Sequence, residues 1–107
     1  MKKRLAPYLD PNDTLERCGL ILTRGRVIEC QNIAEDPERG FEIPPDDLVK
    51  YEKELTGTWH THPGESSGLS LKDTYGFLAW PKLRHFIIGT DGVSEYRVED
   101  GIVLNAD

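Results

Sequence analysis

The sequence predicts one α/β domain, a mixed and curved β-sheet packed by two main helices. Three observations carry that expectation. The 107 residues, 37% of them apolar, supply one modest core and leave no room for a second domain. Short runs rich in β-branched and aromatic residues, each closed by Gly, Pro, Asn or Asp, recur along the chain as strands do. Between them lie two stretches that combine helix-start signals with apolar residues at helical spacing.

Residues 1–13 mix Leu5, Ala6, Tyr8 and Leu9 with Pro7, Pro11, Asn12 and Asp13, which permits a poorly structured segment or a short helix and nothing longer. Lys2, Lys3 and Arg4 read there as a solvated, frayed end. Cys18 to Thr23 reads as a buried strand, Arg24-Gly25-Arg26 as a tight turn, and Val27 to Gln31 as the antiparallel partner of a hairpin. Residues 34–40 are polar and carry Pro37, so they read as loop, with Phe41 and Ile43 in a short extended piece. Pro45 suits the first position of a helix, Asp46 and Asp47 its positive end, and Leu48, Val49, Tyr51 and Leu55 an apolar stripe. A helix over 45–55 follows.

Thr58 to His62 alternates as a strand does. Residues 63–69 hold Pro63, Gly64 and Gly68 and read as an irregular loop, a flexible surface segment by composition, with Gly64, Ser66, Ser67 and Gly68 small enough for another backbone to approach closely. Ser70 opens a second helix to about Trp80, with Leu71, Thr74, Tyr75 and Leu78 on its apolar face and Pro81 as the stop. Residues 85–89, 94–98 and 102–104 read as strands joined by turns at Thr90-Asp91-Gly92 and Glu99-Asp100-Gly101.

A net charge of −6 repels phosphate backbones, and no basic stripe with interleaved aromatics is present, so a nucleic-acid partner is not expected. No apolar run approaches the roughly 20 residues of a membrane span. No secretory signal is recognisable at the N-terminus, which points to a cytoplasmic protein with Cys18 and Cys30 as free thiols, although a cross-strand disulfide is geometrically open to them.

His60 and His62 stand two apart on a strand, so they project from one face about 6 to 7 Å apart at Cα and can converge on one metal ion. Ser70-Leu71-Lys72-Asp73 forms a helix-capping box, and a carboxylate in that first turn faces back toward the histidines. His60, His62 and Asp73 could thus hold one zinc ion and leave its fourth position open, the mark of a catalytic zinc. Glu16 leads into a buried strand and, if that strand runs beside the histidines, reaches the edge of the same cleft. From position alone, the reading of Glu16 as one more solvated acid is the stronger one.

The ordered set Glu16, His60-Thr61-His62-Pro63, Ser70 and Asp73 resembles the signature of JAMM (MPN+) zinc metalloproteases. Glu16-Arg17-Cys18-Gly19-Leu20 is similar to the start of that motif in compact prokaryotic and phage members. Gln31 to Pro37, Phe41-Glu42-Ile43 and Pro45-Asp46-Asp47 look like the segment between the motif halves in the JAMM portion of lambda-type phage tail-tip assembly proteins. The resemblance covers about residues 14 to 100 and implies a JAMM/cytidine-deaminase-like layer fold, a single zinc ion on His60, His62 and Asp73, Glu16 as general acid/base, and Ser70 as oxyanion donor. It implies hydrolysis of a peptide or isopeptide bond in a ubiquitin-like or sulfur-carrier protein, a phage tail protein or a cell-wall peptide, with virion association if the chain is of phage origin. The chain is too short for the insertions that grip two ubiquitins, and it lacks most of the helix that usually precedes the glutamate strand.

His85 at the start of a buried strand reads as a packed residue, Cys18 as packing rather than a nucleophile, and Trp59 and Trp80 as core. A zinc-stabilised assembly or interaction module is the rival function. A zinc deaminase is excluded, because its His-x-Glu and Pro-Cys-x-x-Cys motifs are missing.

Overall fold

The computed structural model describes residues 1–107 as a mixed α/β domain: one six-stranded sheet and three short helices. The strands are β1 (Cys18–Leu22), β2 (Arg26–Cys30), β3 (Leu55–Thr61), β4 (Arg84–Gly89), β5 (Gly92–Glu99) and β6 (Ile102–Asn105), in the order β2-β1-β3-β4-β5-β6. Only the β3–β4 pair is parallel. A parallel pair needs a crossover, and helix α3 (Leu71–Leu78) supplies it. The hairpins turn where left-handed backbone is available, at Arg24-Gly25 (φ 65° and 73°) and at Asp100-Gly101 (φ 52° and 75°).

Alternation along the strands divides the core into two faces. Cys18, Leu20 and Leu22 of β1 face Ile43 and the flanks of helix α2 (Pro45–Tyr51), while Ile87 and Tyr96 face Phe77 of α3. On the opposite face Ile21, Trp59, Phe86 and Ile88 pack around Leu5. The N-terminal segment is therefore not a frayed end. Helix α1 (Lys2–Leu5) and a 3-10 turn at Ala6–Tyr8 form a third layer, because Leu5 is fully buried and Tyr8 packs on Trp59.

Gly19 makes room for that layer's anchor. A Cβ there would lie 2.0 Å from the Ile28 carbonyl oxygen and 2.5 Å from the Trp59 indole nitrogen, so only glycine lets the indole cross β1. Cys18 and Cys30 face each other in register as free, buried thiols, and burial pushes both up to about 12. Neither is a nucleophile.

Both helices are shorter than the sequence suggests. Helix α2 ends at Tyr51, and Leu55 opens β3, where it pairs with Leu22. Burial across the sheet outweighs one more helical turn. In α3 the buried residues are Asp73 and Phe77, whereas Leu71 and Tyr75, expected on the apolar face, are 72% and 67% exposed. Trp80 is likewise 45% exposed rather than core. No helix is long and apolar enough to cross a membrane.

Candidate metal centre

The sheet itself assembles the cluster. In register, His60 sits between Cys18 of β1 and Ile87 of β4, and its ring is fully buried. His62 lies one residue beyond β3, yet its N–H still bonds to the Ile88 carbonyl at 2.8 Å, which keeps it on the parallel pairing. The two Nε2 atoms come within 3.2 Å of each other. Asp73 reaches both from α3, its Oδ1 3.0 Å from His60 Nε2 and its Oδ2 3.0 Å from His62 Nε2.

Asp73 is aimed by the start of its helix. Ser70 Oγ accepts from the Asp73 N–H at 3.1 Å, and the Ser70 N–H donates back to Asp73 Oδ2 at 3.4 Å, a complete capping box. The cap and the site thus share one carboxylate. Ser70 Oγ is an acceptor in that cap and keeps its own hydrogen for another partner.

Glu16 comes from the other direction. The Thr61 N–H donates to the Arg17 carbonyl at 2.9 Å and the Arg17 N–H to Thr61 Oγ1 at 2.8 Å, which holds the chain beside β3 past Cys18 and brings Glu16 beside the histidines. Glu16, His60 and His62 offer atoms that all lie within 4.8 Å of one another. Glu16 Oε1 is buried without a hydrogen-bond partner, as is His60 Nδ1.

The loop of residues 63–69 is anchored at Ser67, its one buried residue. A Cβ on Gly89 would lie 2.2 Å from the Ser67 N–H nitrogen, so the loop lies directly on the end of β4. Ser67 bonds to Asp91 and Ser94, and Tyr96 Oη donates to the Ser67 carbonyl at 2.9 Å. This fixes the Ser66 carbonyl, which accepts from His62 Nδ1 at 2.8 Å.

That last bond decides what the cluster can hold. A carbonyl oxygen only accepts, so His62 carries its hydrogen on Nδ1, and on neutral His62 the Nε2 presents a bare lone pair. It would face a carboxylate oxygen and a second imidazole at hydrogen-bond distance with nothing between them. A shared hydrogen or a metal ion would satisfy that arrangement. The spacings of 3.0 to 3.2 Å, with one Asp73 oxygen facing each imidazole, are close to the separation of about 3.3 Å between neighbouring ligands of a tetrahedral zinc with bonds of about 2.0 Å. Two imidazoles and a carboxylate are also a donor set zinc takes when one position stays open. The residues fit a metal ion.

Electrostatics agree with the geometry. Burial, the largest influence on Asp73, pushes its carboxyl upward, but hydrogen bonds from His60 and His62 hold it far below the usual range. Burial keeps His60 below its ordinary value. In His62 burial is opposed by Asp73 and by the Ser66 carbonyl, and the balance lies above the ordinary value, as for a group that needs a cation. Glu16 is raised to about 7, first by burial and then, against the pull of His62, by Asp73.

His85 does not join the site. Its Nδ1 meets Thr58 Oγ1 at 2.7 Å, its Nε2 donates to the Trp80 carbonyl at 3.0 Å, and Phe77 stacks on it at 4.2 Å. Sequence reasoning missed one neighbour of the centre and the cleft beside it. Phe41 stacks on the His60 ring at 4.2 Å. It also lines an open cleft of about 830 Å³ between α2, α3 and residues 33–43, which includes Asp73, Phe77 and Trp80.

The sequence matches no family model and no curated protein. Among solved structures it is similar to the solution structure of protein DSY2949 from Desulfitobacterium hafniense, with a TM-score of 0.76 and 21% identity over 98% of this chain and 84% of that one. At that identity the likeness speaks for the fold alone. What fold and site together define is a small mixed α/β domain with a buried histidine–histidine–carboxylate cluster able to hold a metal ion.

Proposed function

We propose that the protein is a zinc-dependent metallopeptidase of the JAMM (MPN+) type, hydrolysing a peptide or isopeptide bond. The observation that carries this reading is the convergence of His60, His62 and Asp73 at 3.0 to 3.2 Å, with Glu16 within 4.8 Å of both histidines and its carboxylate Oε1 buried without a hydrogen-bond partner. When bound, zinc would supply a Lewis acid that polarises the scissile carbonyl and lowers the pKa of a water toward ~7. His60, His62 and Asp73 would hold it, with the Ser66 carbonyl fixing the His62 tautomer.

Glu16 then accepts the proton of the attacking water and delivers it to the leaving amine. Burial, which pushes its carboxyl upward, suits a group that must both take and give a proton. Ser70 donates its free hydrogen to the oxyanion of the tetrahedral intermediate, while its lone pair keeps α3 capped. No acyl-enzyme forms, because no nucleophilic side chain takes part. The JAMM-type layer arrangement belongs to the same proposal.

A second reading draws on Glu16 itself. Were Glu16 to swing in as a fourth ligand, the site would close and zinc would stabilise an assembly or interaction module instead. Cleavage assays on peptide and isopeptide substrates, with and without chelator, separate the two. The enzyme reading expects chelator-sensitive cleavage that zinc restores and Glu16→Gln abolishes. Zinc-loaded protein inert on every substrate, with zinc affinity that falls when Glu16 is removed, supports the module.

A further inference from the structure

Asn32, half-buried just after β2, uses every hydrogen-bonding position of its side-chain amide. Nδ2 donates to the carbonyls of Glu16 at 2.9 Å and Gly40 at 3.0 Å, and Oδ1 accepts from the N–H groups of Ala34 at 3.0 Å and Glu42 at 3.1 Å. Two donors and two lone pairs are the whole inventory of an amide. Three of these partners belong to the loop that Asn32 begins. The fourth is Glu16.

Two backbone bonds run the same way. The Glu16 N–H donates to the Pro37 carbonyl at 2.8 Å, and the Ile33 N–H to the Glu42 carbonyl at 3.0 Å. Both backbone polar groups of Glu16 are therefore held by residues 32–37. Glu16 Oε1 makes no hydrogen bond of its own, so the direction of the carboxylate depends on how its backbone is held. The same clamp grips Gly40 and Glu42 on either side of Phe41, whose ring stacks on His60 at an interplanar angle of 23°. With His60 Nδ1 unpartnered, that stack takes the place of the usual hydrogen bond in orienting the ring.

We infer that Asn32 is a positioning residue of the metal centre: its amide binds the 33–42 loop to the Glu16 backbone and so sets both the Glu16 carboxylate and the Phe41 ring against the histidines. The inference rests on the proposed acid–base role of Glu16. Asn32 touches neither metal ligand nor substrate and acts through the two residues it places. A displacement of about 1 Å in a catalytic group can cost about 100-fold, so such a clamp matters without contacting the reaction.

The amide offers a clean test, because Asn32→Asp keeps the acceptor half and removes the donor half. The turn at Ala34 and Glu42 survives, while two carbonyl oxygens now face a carboxylate. The probe is acetohydroxamate added to the Co2+-loaded protein and followed by visible absorption, since this chelator gives up its hydroxyl proton to a neighbouring carboxylate. We expect Asn32→Asp and Glu16→Gln each to weaken acetohydroxamate binding by about tenfold or more while Co2+ affinity stays within about threefold. Unchanged acetohydroxamate binding in Glu16→Gln would remove Glu16 from the site and with it the functional reading. Weak binding in Glu16→Gln but native binding in Asn32→Asp would overturn the positioning role alone. A comparable loss of Co2+ in Asn32→Asp would also overturn it, by making the residue a general support. Should the variant not fold, hydrogen exchange on the metal-free native protein decides. The Glu16 N–H and the Asn32 side-chain amide should exchange at least about 100-fold more slowly than exposed loop amides, and exchange at the exposed rate contradicts the clamp.

Discussion

His85 and His60 lie on the same face of the sheet, on adjacent strands, at the same depth: 1% and 0% exposed. They are built in opposite ways. Both ring nitrogens of His85 have partners of their own, Thr58 and the Trp80 carbonyl, and the ring is stacked on Phe77. His60 has an unpartnered Nδ1 and an Nε2 that converges with His62 Nε2 on one carboxylate. Burial alone therefore does not make a metal centre. Unfinished hydrogen bonding that points several donors at one place gives a cluster able to hold a metal ion.

The sharpest way to break that contrast is through Glu16, the acid whose ligand atom lies within 4.8 Å of those of His60 and His62 and to which we assign proton transfer rather than a ligand's place. Glu16→Gln should lower turnover by about 10² to 10⁴-fold while zinc content measured by mass spectrometry stays at one per chain. Ser70→Ala should cost about 10² to 10³-fold in kcat through the lost oxyanion donor, and about 1 kcal/mol in chemical denaturation through the lost helix cap. A variant that loses stability but keeps kcat would leave Ser70 as a cap only.

On the other side of the comparison, His85→Phe should destabilise the fold by about 1 to 3 kcal/mol, because Thr58 Oγ1 and the Trp80 carbonyl lose their partner, yet leave zinc content unchanged. Zinc loss in that variant would erase the distinction between the two sites. The smallest effect is a pH dependence. Burial, only partly offset by the Trp80 carbonyl, lowers His85 to about 4, so the unfolded chain takes up a proton that the folded one refuses. Stability from this group is complete above the unfolded value near 6.5 and is lost as pH falls from about 6.5 to about 4. Urea titrations across that window should show native protein losing stability toward acid more steeply than His85→Phe.

The convergence of His60 with His62 and the Ser70–Asp73 capping box were legible because both are written in spacing: two histidines two apart on an alternating strand, and a serine three residues before an aspartate at a helix start. The strands were legible for the same reason, to within a residue or two at most of their ends. Helix α3 was not read correctly, since apolar periodicity pointed to Leu71 and Tyr75 while the buried face carries Asp73 and Phe77. A carboxylate in place of an apolar residue hides a helix face from any hydrophobic pattern. Leu55 and Trp80 went astray because tertiary pairing and exposure, not local preference, decided them. The loop of residues 32–43 left no periodic signal at all. Side-chain amide bonds from Asn32 hold it, and such bonds have no sequence period.

The central claim is that three side chains hold the ion and the fourth acid does not. Chelator competition for zinc, run on the native protein, Asp73→Ala and Glu16→Ala, tests it most directly. The account predicts that Asp73→Ala weakens zinc binding by more than about 100-fold while Glu16→Ala stays within about threefold of native. Equal losses in the two variants, or a native protein that binds no zinc, would contradict it.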